Sequence, residues 1–175
     1  MRLDGYLERI SHDGPVEPTL ACLTAIHRCH ATAIPYENVD VQLGVPVGQD
    51  REALYDKLVV RRRGGWCYEM NGLLGWALEI VGFEVLPMTG AVRRDERGES
   101  ALGNHLVLTV RLDRDYLVEA GLGDGPWEPV PLEEGVHREQ WRDLRLERID
   151  GRWWRFRNYE NSFAASFDFQ HQPVD

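Results

Sequence analysis

The segment Arg61-Arg62-Arg63-Gly64-Gly65-Trp66-Cys67-Tyr68-Glu69 places a thiol directly after a pair of glycines, where the chain can turn sharply before an apolar periodic run begins. A cysteine at a helix N-terminus faces the positive end of the helix dipole, which favours the thiolate, the form that attacks carbonyl carbon. The cationic run before it adds to that field. A nucleophile of this kind needs a base that holds the thiolate and returns a proton to the leaving or acceptor group, and a carboxylate that orients the base. His105, heading His105-Leu106-Val107-Leu108-Thr109-Val110, is the candidate base, and Glu119, ending Tyr116-Leu117-Val118-Glu119, is the candidate carboxylate. Each also has an ordinary reading. Free cysteine is more often a small buried hydrophobe, a lone strand histidine a hydrogen-bonded structural residue, and a strand glutamate a solvated one.

The elements that must position these residues fall into two halves. Leu20, Leu23 and Ile26 recur at helical spacing after Pro18, and Leu54 and Leu58 do so after a candidate N-cap at Asp50. Between them Pro35, Gly44, Pro46 and Gly48 mark a connecting segment. A third helix is predicted after Gly64-Gly65, with Leu73, Leu74, Ala77, Leu78 and Val81 on its buried face and Gly82 as its stop. From Phe83 the period changes to two, so that Leu106, Leu108 and Val110 share one face, and Asp113-Arg114-Asp115 and Asp150-Gly151 read as hairpin turns. The expected fold class is α+β. A helical subdomain over residues 1–82, carrying Cys67, precedes an antiparallel, barrel-like β subdomain over residues 83–175, carrying His105 and Glu119.

If the first hairpin closes with Leu112 opposite Tyr116, Glu119 falls opposite Thr109, on the same face as His105. The face is right, but four residues of strand then separate the two positions, roughly 13 Å at standard rise. Contact requires a bulge, strong coiling or a different register.

Composition narrows the function. A net charge of −9 argues against a large electrostatic footprint for nucleic acid or an acidic membrane, and no run approaches the roughly 18 apolar residues of a membrane span. The segment Trp141–Tyr159 alternates arginine with aromatics, which suggests single-strand binding, but a hairpin with one buried and one solvated face explains it better. The three cysteines, Cys22, Cys29 and Cys67, lack paired zinc-type spacings, and the N-terminus lacks an apolar signal core. Reduced thiols, a cytoplasmic location and no metal centre are the expectations; the oligomeric state is left open.

With these residues in place, RGGWCYEMN at 63–71 resembles the active-site segment of the arylamine N-acetyltransferase family, Arg-Gly-Gly-aromatic-Cys-aromatic-Glu, a variable residue and then Asn. IPYENVD at 34–40 resembles the family's Ile-Pro-Phe-Glu-Asn segment, NHLVLTV at 104–110 its histidine strand, and YLVEAGLG at 116–123 its Tyr-Leu-Val-Asp-x-Gly-x-Gly segment. The resemblance implies a cysteine-protease-like core with Cys67 as the acetylated nucleophile, His105 as its imidazole partner and Glu119 at the usual aspartate position. Glutamate there adds a methylene, so it serves only if the imidazole is displaced or the side chain folds differently, and altered activity is expected rather than loss. The same resemblance implies acetyl-CoA as acyl donor and an arylamine, arylhydrazine or N-hydroxyarylamine as acceptor in a ping-pong cycle. It implies substrate contacts at Tyr36, Tyr68, Leu122 and Gly123, with a core aromatic the alternative for Tyr36 and a plain β turn the alternative for Gly121–Gly125. Arg63 and Glu37 are expected to pair beneath the active-site loop, with Arg61 and Arg62 a solvated charge run or an attraction for CoA phosphates. Family members usually continue into a third domain beyond a strand like Phe163–Phe169, which implies here a short member or a fragment. An amide synthase acting on an acyl thioester and a non-catalytic binding module that keeps the fold are the alternatives.

Overall fold

The computed structural model describes residues 1–171. Its first half is helical. Helix α1 (Leu3–Arg9) precedes α2 (Leu20–Ala33), whose start is fixed by the Thr19 side chain accepting from Cys22 N. The connecting segment contains a single short turn, α3 (Val39–Gln42). Helix α4 (Arg51–Tyr55) begins where Asp50 accepts from Ala53 N at 2.9 Å, as its spacing predicts, and continues as a π-helical turn over Asp56–Val60. Helix α5 (Cys67–Val81) follows the glycine pair and stops at Gly82, which adopts φ 106°.

The second half is one eight-stranded antiparallel sheet built from β1 (Glu84–Val92), β2 (His105–Arg111), β3 (Asp115–Val118), β4 (Val130–Pro131), β5 (Gly135–Glu139), β6 (Arg142–Asp150), β7 (Trp153–Arg157) and β8 (Ser166–Gln170). The strand order is β4-β3-β2-β1-β8-β7-β6-β5, so the edge strands β4 and β5 are close neighbours in the chain. The sheet therefore curls until its edges approach. Glu139 on β5 accepts from the N–H groups of Trp127 and Glu128, just before β4, at 2.7 Å each, and the barrel is nearly closed. Between β1 and β2 the strand period is interrupted by α6 (Arg94–Arg97) and a 3₁₀ turn (Gly98–Ala101), which the sequence pattern does not announce.

Strand β2 is buried on both faces. Leu108 and Val110, with Leu106 partly buried beside them, pack with Leu73, Leu74 and Leu78 of α5; Val107 points the other way, into a barrel interior filled by Leu117, Phe156, Phe167 and Phe169. The hairpin joining β2 to β3 differs from the register expected of it. Arg111 pairs with Asp115 and Val110 with Tyr116, so the three-residue loop is Leu112-Asp113-Arg114 and not Asp113-Arg114-Asp115. The reason lies in the side chains. Arg111 Nε donates to Asp115 Oδ1 at 3.0 Å across the last pair, Tyr116 donates to Asp113, and Leu112 is left to pack against the helical core. The Asp150-Gly151 turn does join β6 to β7, with a register shift between Arg148 and Asp150, and the two arginines of β7 are engaged: Arg157 with Glu147, Arg155 with Asp168.

Phe156 and Phe167 stack at 4.9 Å between ring centroids in the barrel interior. Phe156→Ala is expected to lower the unfolding free energy by about 3–5 kcal/mol, read by urea denaturation. A loss below about 1 kcal/mol would mean that this interior can collapse around the cavity and is not closely packed.

Candidate active site

The register of the first hairpin decides where Glu119 sits. The ladder ends with Leu108 opposite Val118, and one more step sets Glu119 opposite Val107 rather than Thr109. Only two residues of strand then separate its position from His105, about 7 Å at standard rise, which an extended glutamate side chain can span. His105 Nε2 donates to Glu119 Oε2 at 2.8 Å, with the imidazole 1% and the carboxylate 0% exposed. The contact arises from a register shift.

Helix α5 supplies the other side of the site. Cys67 is its first residue, 5% exposed, and its Sγ donates to Asn104 O at 3.6 Å, one residue before His105. Asn71 lies four residues on, hence on the same helix face. Its Nδ2 donates to Glu119 Oε1 at 3.0 Å and to Leu106 O at 2.7 Å, while its Oδ1 accepts from Ala120 N at 2.9 Å. Gly121 N also donates to Glu119 Oε1. Gly121 is required by close approach: a Cβ there would stand 2.8 Å from Cys67 Cα and 3.0 Å from Asn71 Nδ2.

An ion network fixes the loop that delivers Cys67. Glu69 accepts from Trp66 N and, through both oxygens, from Lys57 Nζ at 2.8 Å; Lys57 also meets Asp40 at 2.9 Å. Arg63 continues the network to Asp40 at 3.0 Å and to Glu37 at 2.6 Å, the pairing expected beneath the loop. Burial pushes the Lys57 ammonium down, but Glu69 and Asp40 outweigh it and hold its pKa above the ordinary lysine value. A parallel bridge between Tyr36 and Gly65 carries Tyr36 to the site. There Tyr36 packs against Gly123 so closely that a Cβ on the glycine would come within 3.1 Å of it. Tyr68 donates to Gly103 O and leans on Trp66, whereas Leu122 is buried in the barrel interior. Arg61 is paired with Asp56, so the cationic run is largely neutralised by carboxylates of its own surroundings.

The electrostatics of the pair follow from its burial. Burial alone pushes the His105 imidazole down; the negative charge of Glu119, together with the Cys67 side chain, outweighs it and holds the ring up at about 10. Among the described residues no group of three or more His, Cys, Asp or Glu side chains is arranged to hold a metal ion, and no helix is long and apolar enough to cross a membrane. A broad cleft lined by Leu86, Met88, Trp153 and His171 shares no residue with this cluster, whereas a narrower one reaches Tyr36, Glu119 and Gly123.

A buried cysteine at a helix start beside a carboxylate-held imidazole is found here in a chain whose residues 19–175 match the N-acetyltransferase family model. The chain is 45% identical over 156 residues to the arylamine N-acetyltransferase of Mycolicibacterium smegmatis, covering 85% of this chain and 57% of that protein. The chain belongs to the arylamine N-acetyltransferase family. Bos taurus arylamine N-acetyltransferase 1 is 35% identical over 176 residues, covering 97% of this chain and 60% of that protein. The solved structure of the Mycobacterium marinum arylamine N-acetyltransferase in complex with CoA superposes with a TM-score of 0.88 at 36% identity, over 99% of this chain and 67% of that one. The chain thus spans little more than half the length of the relatives it matches by sequence.

Sequence reasoning placed Cys67, His105 and Glu119 but gave no role to Asn71 or Lys57. Asn71 could have been found from its i+4 spacing to Cys67, which puts an amide on the thiol's own face. Lys57 had no comparable signal, since its partners Asp40 and Glu69 lie far from it in sequence and only the fold gathers them.

The sign of the His105 shift is testable. Because the folded value lies above the ordinary 6.5, the stability contributed by the charged ring is complete below about pH 6.5 and is lost as pH rises toward about 10. In ¹⁵N-histidine NMR spectra His105 should remain an imidazolium at pH 8, and Glu119→Gln should bring its midpoint down by about two pH units or more. A neutral His105 at pH 7 in the unmodified chain would contradict this account of the pair.

Proposed function

We propose that this chain transfers an acetyl group from acetyl-CoA through a Cys67 thioester to an arylamine, arylhydrazine or N-hydroxyarylamine. The observation that carries the reading is the buried His105–Glu119 hydrogen bond beside a cysteine that opens a helix. In the first half-reaction the Cys67 thiol releases its proton to solvent and Sγ, as thiolate, attacks the thioester carbonyl; the C–S bond to CoA breaks, and His105 gives its proton to the departing CoA thiolate. In the second, the amine nitrogen attacks the Cys67 thioester, His105 takes a proton from that nitrogen, and Sγ leaves as thiolate. The ring returns to its starting charge, and the amide formed is more stable than the thioester consumed.

The two tetrahedral intermediates need donors for an oxyanion. At the start of α5, Trp66 N is taken by Glu69, and the Glu69 and Met70 N–H groups by Trp66 O, which leaves the N–H groups of Cys67 and Tyr68 as candidate donors. Tyr36 over Gly123, with Tyr68 beside Trp66, gives the acceptor ring aromatic surface. Leu122, with its side chain in the barrel interior, contributes main chain. The names of the relatives favour acetyl transfer to arylamines over an amide synthase or a binding module without catalysis. The two subdomains, residues 1–82 and 83–175, divide the labour: the first holds the nucleophile, the second the base and carboxylate. A cytoplasmic location suits the three free thiols.

Intact-mass spectrometry after incubation with acetyl-CoA should record one acetyl adduct, mapped to Cys67 and absent in Cys67→Ser. Single-turnover acylation should fall by about 10²-fold or more in Glu119→Gln, which keeps the shape and removes the charge, with circular dichroism confirming the fold. An adduct on Cys22 or Cys29, or a folded Glu119→Gln that acylates at the unmodified rate, would overturn these roles.

A further inference from the structure

Helix α2 contains two fully buried histidines, His27 and His30, that the acyl-transfer chemistry does not use. His27 Nε2 lies 3.1 Å from the main-chain oxygen of Glu119, a residue 92 positions away. We propose that His27 is a positioning residue for the His105–Glu119 pair, acting by donating its Nε2 hydrogen to the Glu119 carbonyl.

Glu119 lies one residue beyond β3, whose ladder with β2 ends at Val118, so the sheet does not hold its peptide. On the α5 side Asn71 Oδ1 accepts the Ala120 N–H of that peptide, while the Glu119 side chain is held by Asn71, by His105 and by Gly121 N, and Gly121 belongs to the same turn. A shift of that turn would move the carboxylate and one of its donors together. His27 anchors the turn from the opposite side, through helix α2. A carbonyl only accepts, so Nε2 carries the hydrogen and Nδ1 is bare. Burial keeps the ring neutral by pushing it down to about 4, against the opposing pull of Glu119.

The neighbouring residues agree with that tautomer. His30, three residues on and therefore a neighbour on the helix surface, has Nδ1 2.9 Å from Tyr6 Oη. With the Tyr6 hydroxyl donating, His30 Nε2 carries a hydrogen. His27 Nδ1 and His30 Nε2 are both buried without a partner, so the first is an unpaired acceptor and the second an unpaired donor. Tyr6–His30 and His27–Glu119 are thus two separate polar contacts of helix α2, and the second ends on the Glu119 peptide.

The effect on acylation rests on the function proposed above; the effect on His105 does not. In ¹⁵N-histidine spectra of the full chain, His27 should appear as the neutral Nε2–H tautomer. His27→Leu should lower the His105 midpoint by about one pH unit or more and slow single-turnover acylation about tenfold. His27→Gln, whose amide offers an N–H in place of Nε2, should restore both, and His27→Asn, too short to reach, should not. A His27 found as the Nδ1–H tautomer, a folded His27→Leu with an unchanged His105 midpoint, or a His27→Gln as impaired as His27→Leu would each overturn the proposal. If His27→Leu does not fold, the tautomer and the comparison of Gln with Asn decide the matter. Failure of the unmodified chain to acylate Cys67 would count against acetyl transfer and leave the His105 measurement to judge His27 by itself.

Discussion

A carboxylate removed entirely from water must be compensated by donors or it takes up a proton, and in this fold that constraint falls on Glu119. Its two oxygens accept from His105 at the start of β2, from Asn71 within α5 and from the Gly121 peptide in the turn after β3. A helix and a strand from other parts of the chain, together with the adjoining turn, are thus tied to one group, and each donor constrains the element that carries it. Asn71 fixes the rotation of α5 about its axis, and that rotation sets where Cys67 points. His105 fixes the end of β2, and its backbone neighbour Asn104 receives the thiol. The geometry of the thiol is therefore a consequence of how one carboxylate is satisfied.

A second constraint acts on the approach to α5. The glycine pair lets the chain turn, but permissive backbone does not select a conformation. Selection comes from Glu69, which bonds Trp66 N and the buried Lys57, and from Asp40, which extends the network to Arg63 and Glu37. Lys57 and Glu69 are both buried, so removing Lys57 would strand the Glu69 carboxylate in a poorly solvated position, which costs more than the pair contributes when intact. The same network carries the Tyr36 segment alongside Gly65. The loop presenting the nucleophile and the aromatic side chain facing it are thus held by shared charges.

Much of this was legible in the sequence because it is encoded locally. The Asp50 cap, the start of α5 after Gly64-Gly65, its stop at Gly82 and the strand period of β2 are each written within a few residues and each appears in the fold. What was not legible is non-local or nearly degenerate. The hairpin after β2 has two registers with loops of equal length, and the one adopted pairs Arg111 with Asp115, lets Tyr116 donate to Asp113 and leaves Leu112 on the helical core. The helical interruption at Arg94–Ala101 is held to the sheet by Arg94 reaching Asp168 and by stacking over Trp153, partners far along the chain. The gathering of Lys57, Asp40 and Glu69 has the same character.

The choice of register also explains why a glutamate can stand where the family pattern has aspartate. In the register expected from the sequence the carboxyl-bearing residue would lie some 13 Å along the strand from the imidazole, beyond either side chain. In the observed register the separation is about half of that, and the extra methylene lets Oε2 meet His105 while Oε1 turns back to Asn71 and to Gly121 N. A carboxylate one carbon closer to its own backbone would have to draw that backbone toward His105 to keep the same contact. The Glu119 peptide is not free to move, since its carbonyl, the Ala120 N–H and the Gly121 N–H are all engaged by groups on other elements or by the carboxylate itself. The length of the side chain and the position of its peptide are therefore matched to each other.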